Sequence, residues 1–327
     1  MSEAPIRVGI LGAARIAPAA LIDPARARSD VHVVTVAARD PARATAFAAA
    51  HGLDDACDDY AALVARDDLD LVYVALPPDL HCRWSIAALE AGKAVLCEKP
   101  FALDADEAQR MVDAADRSGG VLIEGFHYRF HALMRKAVAI VRDGLIGDPV
   151  GARASVNYPI PTGEGEPRWS AAHGGGAIMD LGCYGLHALR TLLGVEPRIL
   201  AARTRWERGV DAASTVRLAF GDLEAQLSAD MAPPEPSTDL VIEGTRGRLQ
   251  INGLVLPQRS GRLRLTADGP TRDLPIEGAS SYAAQLDHVV GVLRGREVQL
   301  TGGADAIANM RAIDSIRAMA RASEPAA

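Results

Sequence analysis

Continuous apolar runs alternate with alanine-rich stretches over the first 125 residues of the chain. Five runs lack the polar alternation of a half-exposed strand, so they predict buried strands. These strands are predicted at 6–11, 31–38, 69–76, 94–97 and 121–125. The stretches between them predict helices at 16–28, 41–51, 79–91 and 104–117, with Asp79 and Asp104 as N-caps. Strand–helix–strand repetition predicts a parallel sheet with helices on both faces.

The pattern changes after residue 129. Helices are predicted at 131–143 and 177–193, a strand at 150–158, and glycine-punctuated strands over 198–265. Two helices, at 282–294 and 304–321, close the chain. Strands bounded by helices predict an α+β domain on a mainly antiparallel sheet. We therefore expect an α/β protein with two domains, 1–125 and 126–327, in line with roughly 150 residues per domain.

Composition and charge narrow the function classes. The 327 residues carry 35 basic and 42 acidic side chains, and a net charge of −7 gives no electrostatic footprint for duplex nucleic acid. The longest apolar runs fall well short of the ~20 residues that span a bilayer, and the N-terminus lacks a signal-peptide pattern. The four cysteines form no CxxC pair, which favours reduced, buried thiols over a zinc site. We expect a cytoplasmic protein that binds no metal, nucleic acid or membrane.

The first predicted strand ends in a glycine-containing turn at residues 9–17. The spacing of Gly12, Ala14 and Ala17 is that of the dinucleotide-binding pattern G-x-G-x-x-G/A, whose turn brings backbone amides against a pyrophosphate at a helix N-terminus. Ala14 replaces the second glycine, so a plain strand–turn–helix remains an alternative. The predicted cofactor contacts here are Gly9, Gly12, Ala14, Arg15 and Ile16.

The end of the second strand bears on which nucleotide is bound. Arg39 lies where a guanidinium could hold the 2′-phosphate of NADP. Asp40 could bind the ribose of NAD, or could cap the helix that begins at Pro41. The sequence favours NADP and leaves NAD open.

Two further segments carry candidate catalytic groups. Lys99, in Glu98-Lys99-Pro100, follows the strand at 94–97, and the carboxyl ends of parallel strands are where open α/β folds bind ligands. In the helix at 177–193, Asp180, Tyr184 and His187 are spaced i, i+4, i+7 and would share one face. A solvated lysine and a helix with locally satisfied polar groups are the alternatives.

These segments resemble the Gfo/Idh/MocA oxidoreductase family over nearly the whole chain. The most specific matches are the Glu-Lys-Pro tripeptide at 98–100 and the Gly-Gly-Gly…Asp-Leu-Gly-Cys-Tyr block at 174–184. Further matches lie at 9–17, 38–41, 76–81, 91–93, 129–131, 168–169 and 309–314. Tyr184, in place of the commoner His, resembles the branch that contains glucose-fructose oxidoreductase, xylose dehydrogenase and dihydrodiol dehydrogenase.

The resemblance implies a Rossmann domain followed by an α+β domain with an open-faced sheet. It also implies hydride transfer between a nicotinamide and the carbinol or carbonyl carbon of a sugar, cyclic polyol or related diol. Lys99 would hydrogen-bond the reacting oxygen, Tyr184 would pass the proton, and Asp180 would orient the pair or bind a substrate hydroxyl. The further cofactor candidates are Pro77, His81, Glu98, Lys99 and Pro100, and the substrate candidates are Arg129, Arg168, Trp169 and His187.

Assembly and two other functions complete the expectations. Apolar alternation at Val216, Leu218 and Phe220 predicts a sheet whose open face is partly apolar, and hence a homodimer or homotetramer through the C-terminal sheet. One alternative function is a hydrolase or epimerase-like enzyme that retains its nucleotide and uses transient oxidation. The other is a non-catalytic NAD(P)-binding regulator, although a regulator has no need of Lys99, Asp180 and Tyr184 together.

Overall fold

Six parallel strands form the N-terminal sheet in the computed structural model, which describes residues 4–163 and 165–323. The strands are β1 (Ile6–Leu11), β2 (Val31–Ala37), β3 (Asp55–Cys57), β4 (Leu71–Val74), β5 (Ala94–Cys97) and β6 (Leu122–Glu124). Their order is β3-β2-β1-β4-β5-β6, so β1 pairs with both β2 and β4. The strand order reverses there, and ligands of doubly wound sheets bind beyond the carboxyl ends at that point.

Of the two N-caps predicted for the helices between these strands, one is confirmed and one is wrong. A π-helical turn, Pro18–Ile22, runs into α1 (Asp23–Arg26) and is followed by α2 (Pro41–His51), α3 (Tyr60–Val64), α4 (Pro78–Glu90) and α5 (Ala105–Ser118). Asp104 caps α5 as predicted. Asp79 does not cap α4, because Pro77 takes the N-cap position and Pro78 the first helical position, where a missing N–H costs nothing.

The second sheet has eight strands and is mainly antiparallel, which confirms the predicted class. Its strands are β7 (Pro149–Asn157), β8 (Arg198–Glu207), β9 (Val210–Phe220), β10 (Leu223–Asp230), β11 (Ser237–Gly244), β12 (Gly247–Asn252), β13 (Arg262–Ala267) and β14 (Arg272–Leu274). The order is β14-β13-β12-β11-β7-β10-β9-β8, and the pair of β7 with β10 is parallel.

Helical segments precede, interrupt and follow the strands of this sheet along the chain. They are α6 (Ala132–Arg142), a π-helical turn (Ile178–Gly182) that continues into α7 (Cys183–Leu193), α8 (Pro257–Ser260), α9 (Ser281–Leu293) and α10 (Gly303–Ala322). Helix α7 contacts β7 and β10. A Cβ at Gly185 would lie 2.6 Å from Leu227 Cδ1, so glycine is what lets α7 approach the sheet this closely.

The chain divides into two compact units, and the first of them includes a segment from late in the chain. The first unit takes in the described residues of Met1–Phe126 together with Tyr282–Ile307, and the second takes in those of His127–Ser281 and Ala308–Ala327. This later segment, Tyr282–Ile307, covers the exposed edge of β6, whose backbone groups would otherwise lack partners in the sheet. Thr301 Oγ1 donates to Glu124 O at 2.8 Å, and Gln299 Nε2 donates to Leu122 O at 2.7 Å.

The side chains that β9 exposes are polar, so this strand does not show the partly apolar outer face that the assembly prediction assumed. Val216, Leu218 and Phe220 are all buried, whereas Thr215 and Arg217 between them are exposed. Because successive side chains of a strand alternate between faces, the apolar positions mark the covered side of the sheet. No helix in the part of the chain described above is long and apolar enough to cross a membrane.

Candidate active site

The turn after β1 contains Gly12, which has no side chain, at the point where the strand order reverses. Gly12 has φ +105°, its N–H donates to Ala37 O at 2.8 Å, and an added Cβ would lie 2.6 Å from Ala75 O. Only glycine fits this position. Ala14 is half-buried and Arg15 is exposed, so both remain predicted cofactor contacts, as does exposed Ile16. The turn suits a dinucleotide pyrophosphate.

Gly9 has a different role from the one predicted. It lies within β1 and is buried, and a Cβ there would come within 2.7 Å of Leu69 Cδ1 and 2.9 Å of Leu63 Cδ2. The residue therefore makes room for core side chains and does not face a cofactor. The sequence Gly9-Ile-Leu-Gly12 could not distinguish the two roles, because a glycine is needed both for core packing and for close approach of a cofactor.

Two guanidinium groups gather at the end of β2. Asp40 accepts a hydrogen bond from Ala42 N at 2.9 Å and caps α2, which leaves exposed Arg39 as the ligand candidate. Arg43, which the sequence analysis missed, donates to Ala13 O at 2.8 Å. Burial raises the pKa of the Tyr60 phenol, and the charges of Arg39 and Arg43 act against that rise, so both lie near this ring. The signal for Arg43 was a second arginine in the first turn of α2, next to the end of β2.

Hydrogen bonds from buried side chains hold the turn that carries Lys99. Tyr73 Oη donates to Glu98 Oε1 at 2.6 Å. The His81 ring nitrogens lie 2.9 Å from Pro100 O and 2.7 Å from Leu76 O, and the residue is 0% exposed. Burial lowers the pKa of the His81 imidazole. His81 therefore fixes the turn and cannot touch a cofactor, contrary to its predicted role.

The residues around that turn keep their candidate roles. Lys99 and Glu98 are half-buried, and Pro77 is half-buried at the start of α4. The Lys99–Pro100 peptide bond is cis, and Pro100 itself is buried. A polar turn with a half-buried lysine at the carboxyl end of β5 suits binding of a ligand.

A buried carboxyl group holds the start of the helical segment 178–193. Asp211 of β9 accepts from Ile178 N at 2.8 Å, at the first residue of the π-helical turn. Burial raises the pKa of Asp211 to about 6, against the hydrogen bond from Ile178 and the charge of Arg317. The sequence analysis missed Asp211, although an acidic residue in an apolar strand pattern was its signal.

Tyr184 lies in a cluster of aromatic and imidazole rings and is 6% exposed. Its Oη is 3.4 Å from His127 Nε2, and its ring meets that of Tyr128 edge-on at 5.8 Å. Tyr128 Oη lies 2.5 Å from His187 Nδ1. His187 is therefore buried behind Tyr128 and is not a substrate contact, contrary to prediction. The sequence analysis missed His127 and Tyr128, which directly precede the predicted Arg129.

Asp180, in the π-helical turn, lies near a charged pair on the loop before it. Arg168 binds Glu166 through Nε–Oε1 at 2.7 Å and Nη2–Oε2 at 2.9 Å, and its Nη1 lies 4.0 Å from Asp180 Oδ2. The hydrogen bond to Glu166 is the main cause of the raised pKa of Arg168. Two carboxylates thus share one cation, which orients Asp180.

The other two substrate candidates, Trp169 and Arg129, lie in different 3₁₀ turns. Trp169 is buried, its Nε1 donates to Ile160 O at 3.3 Å, and the Arg208 guanidinium lies 5.6 Å above its ring. Through these contacts it anchors the loop, and it remains a predicted substrate contact. Arg129 is half-buried in the 3₁₀ turn His127–Phe130 and remains a predicted substrate contact.

Chemically, each unit brings together part of what a redox enzyme needs. The first places Gly12, Arg39 and Lys99 at carboxyl ends of parallel strands, and the residues there fit a nicotinamide dinucleotide. The second places Asp180 and Tyr184 on one helical segment. Within 4–163 and 165–323, no three His, Cys, Asp or Glu side chains group to hold a metal ion.

Known proteins match along most of the chain. A family model described as "Oxidoreductase family, NAD-binding Rossmann fold" matches residues 6–126, and the "GFO/IDH/MocA C-terminal domain" matches residues 134–250. A D-xylose 1-dehydrogenase (NADP(+)) from Haloferax volcanii is 33% identical over 312 residues, which cover 94% of this chain and 95% of that one. A dTDP-3,4-didehydro-2,6-dideoxy-alpha-D-glucose 3-reductase from Streptomyces antibioticus is 34% identical, covering 97% of each.

A solved structure agrees with the fold. It is a 3-ketoreductase from Actinomadura kijaniata in complex with NADP and TDP-benzene, with a TM-score of 0.87 at 28% identity, covering 96% of this chain and 98% of that one. The dinucleotide turn and these matches define an NAD(P)-dependent oxidoreductase. The chain belongs to the Gfo/Idh/MocA family, as its motifs predict.

Proposed function

We propose that the chain transfers a hydride between the nicotinamide of NADP and a carbinol or carbonyl carbon of a sugar, cyclic polyol or related diol. The observation that carries this proposal is the buried phenol of Tyr184, which shares a helical segment with Asp180 and lies against an imidazole. The relatives' names, a xylose dehydrogenase and a deoxysugar reductase, support the substrate class.

The nicotinamide, when bound, supplies the hydride acceptor or donor. Lys99 donates a hydrogen bond to the reacting oxygen and offsets the charge that develops there. Tyr184 takes the proton from that oxygen during oxidation and returns it during reduction. Asp180, oriented by Arg168, binds a neighbouring substrate hydroxyl.

NADP is the proposed nucleotide because of the charges at the end of β2. Asp40 caps α2, so its carboxylate is engaged, whereas Arg39 is exposed and Arg43 lies near the same phenol, Tyr60. Guanidinium groups suit a phosphate through charge-assisted hydrogen bonds. Two relatives support this choice, since the name of the Haloferax volcanii enzyme includes NADP(+) and the Actinomadura kijaniata enzyme was solved in complex with NADP.

A substrate panel tests the function directly. The purified protein is given NADP, or NAD, with aldoses, inositols and cyclic diols, and formation of the reduced nucleotide is followed by absorbance. We expect turnover with at least one of these substrates, and faster with NADP. Turnover without added nucleotide, by protein that retains it through purification, would identify the transient-oxidation alternative instead. Lack of reduction or oxidation across the panel, in either direction, contradicts the proposal.

Assembly and location are also proposed. A homodimer or homotetramer forms through the exposed face of the eight-stranded sheet, held by polar contacts since Thr215 and Arg217 point outward. The protein resides in the cytoplasm, which fits its four free cysteines, three of them buried. Fractionation of cells that express the native chain tests the location.

A further inference from the structure

Behind Tyr184, hydrogen bonds link side chains from four separate elements. Tyr184 Oη of α7 lies 3.4 Å from Nε2 of His127 in the 3₁₀ turn, and His127 Nδ1 lies 2.8 Å from Oγ of Ser281 at the start of α9. Ser281 Oγ in turn donates to Oε1 of Gln258 in α8 at 2.9 Å. His127 is 3% exposed and Ser281 is 0% exposed, so these contacts lie away from bulk water.

The bonds have a fixed direction, which sets the tautomer of His127. The backbone N–H of Ser281 also approaches Gln258 Oε1, at 3.4 Å, and since an N–H can only donate, the amide oxygen must face Ser281. The single hydroxyl hydrogen of Ser281 points to that oxygen, so a lone pair of Oγ faces His127 Nδ1. Nδ1 therefore carries the hydrogen of the neutral ring, and Nε2 presents a lone pair to the Tyr184 phenol.

We propose that His127 is the proton-holding partner of Tyr184, an inference that rests on the proposed role of Tyr184. During oxidation, the substrate O–H bond breaks and its proton forms a new O–H bond on Tyr184, while the phenolic proton passes to Nε2 of His127. The C–H electron pair leaves with its hydrogen as hydride to the oxidised nicotinamide, and the C=O bond forms. The products are a carbonyl, the reduced nucleotide and an imidazolium, and reduction reverses each step.

The partnership addresses a difficulty in the chemistry of a lone phenol. A phenol that titrates near 10 gives up its proton poorly at neutral pH, whereas a directed imidazole accepts the proton as the substrate's proton arrives. Many enzymes pair the reacting group with a base, and a third residue orients that base. Here Ser281 is that third residue.

The neighbouring groups single out His127 for this role. The imidazole faces the titratable phenol of Tyr184 on α7 and the neutral hydroxyl of Ser281 on α9. His187, also on α7, directs its Nδ1 to Tyr128. The Tyr128 ring packs edge-on against Tyr184 and supplies an apolar wall there.

The pH profile of kcat distinguishes this role from a structural one. An imidazolium cannot accept a proton, so wild-type kcat for oxidation should fall on the acid side as His127 protonates. His127→Gln keeps a polar group beside Tyr184 without titration, and should lower kcat by about 10²-fold and abolish the acid limb. KM and NADP affinity should stay within about twofold. His187→Gln is the matched buried control and should keep the acid limb.

A second measurement works on the folded protein without turnover. Nitrogen-15 NMR of the imidazoles in nucleotide-free wild type should show His127 as the Nδ1–H tautomer, and Ser281→Ala should shift it toward Nε2–H. An Nε2–H tautomer in wild type overturns the proposal even if no substrate is found. Wild-type kcat and an unchanged acid limb in His127→Gln also overturn it, while leaving the NADP-linked activity established.

Discussion

Arg39 and Asp40 are adjacent at the end of β2, and the structure gives Asp40 the role of capping α2. The sequence left both as nucleotide candidates, since an aspartate there suits a ribose or a helix cap equally. The hydrogen bond from Ala42 N settles the question for Asp40. The same limit applies to Gly9 and His81, whose burial against Leu69 and between two backbone carbonyls depends on distant segments.

Replacement of Arg39 tests the proposed nucleotide preference. Arg39→Ala should weaken NADP binding by about 1.5–3 kcal/mol, the scale of a charge-assisted hydrogen bond to phosphate, and should change NAD binding little. Fluorescence titration of both nucleotides measures the effect. Arg110→Ala on α5, another exposed arginine, which pairs with Glu107, is the control and should leave both curves unchanged. Identical NADP curves for wild type and Arg39→Ala would refute the assignment.

At the scale of elements, the helix at 177–193 was predictable in extent but not in form. It begins with a π-helical turn, so the α-helical spacing assumed for Asp180 and Tyr184 does not hold there. Asp180 meets Arg168, whereas Tyr184 and His187 both meet Tyr128. The form of a helix start depends on its packing, and Asp211, which caps this one, lies 33 residues further along the chain.

The raised pKa of Asp211 predicts a pH-dependent stability with a definite sign. Between about pH 4 and 6 the carboxyl is ionised in the unfolded chain but protonated in the folded one, so stability from this group falls as pH rises. The full loss, reached above about pH 6, is roughly 3 kcal/mol. Asp211→Asn does not titrate, so its free energy of unfolding should decline less with rising pH than that of wild type.

Urea denaturation of both proteins at several pH values measures this difference. Asp68→Asn provides a control of opposite sign, because Arg66 and Arg7 hold the pKa of Asp68 well below its usual range. That substitution should remove stability that wild type gains as pH rises, although the exposed position of Asp68 makes the effect small. Parallel stability curves for wild type and Asp211→Asn would show that the carboxyl is not perturbed.

At the scale of the whole molecule, the sequence predicted both sheets and the family but missed some connections. Strand β3 was not predicted, because it has three residues, none of them buried, and so lacks an apolar run. The assignment of Tyr282–Ile307 to the first unit could not be predicted, because it depends on hydrogen bonds to β6 from residues more than a hundred positions away. A change in the local sequence pattern shows where one domain ends, but it does not show that a later segment packs back onto the first domain.

The proposed assembly is tested by the mass in solution. Light scattering at micromolar concentration should give two or four times the mass of one chain. Arg217→Glu reverses the charge of an exposed side chain on the outer face of β9 and should shift the mass toward one chain. Arg142→Glu at the end of α6, an exposed arginine outside the strands of the sheet, is the control. A wild-type mass of one chain would contradict the proposal.

The central claim is that Lys99 and Tyr184 act in one catalytic step. Lys99→Ala removes the charge at the reacting oxygen and should lower kcat by about 10²–10⁴-fold, with NADP affinity nearly unchanged. Tyr184→Phe should cost a comparable factor. The decisive measurement is kcat of the double variant beside the two single variants. Groups that act as a unit are not additive, so the double variant should lose far less than the product of the single losses. A loss equal to that product would contradict the account.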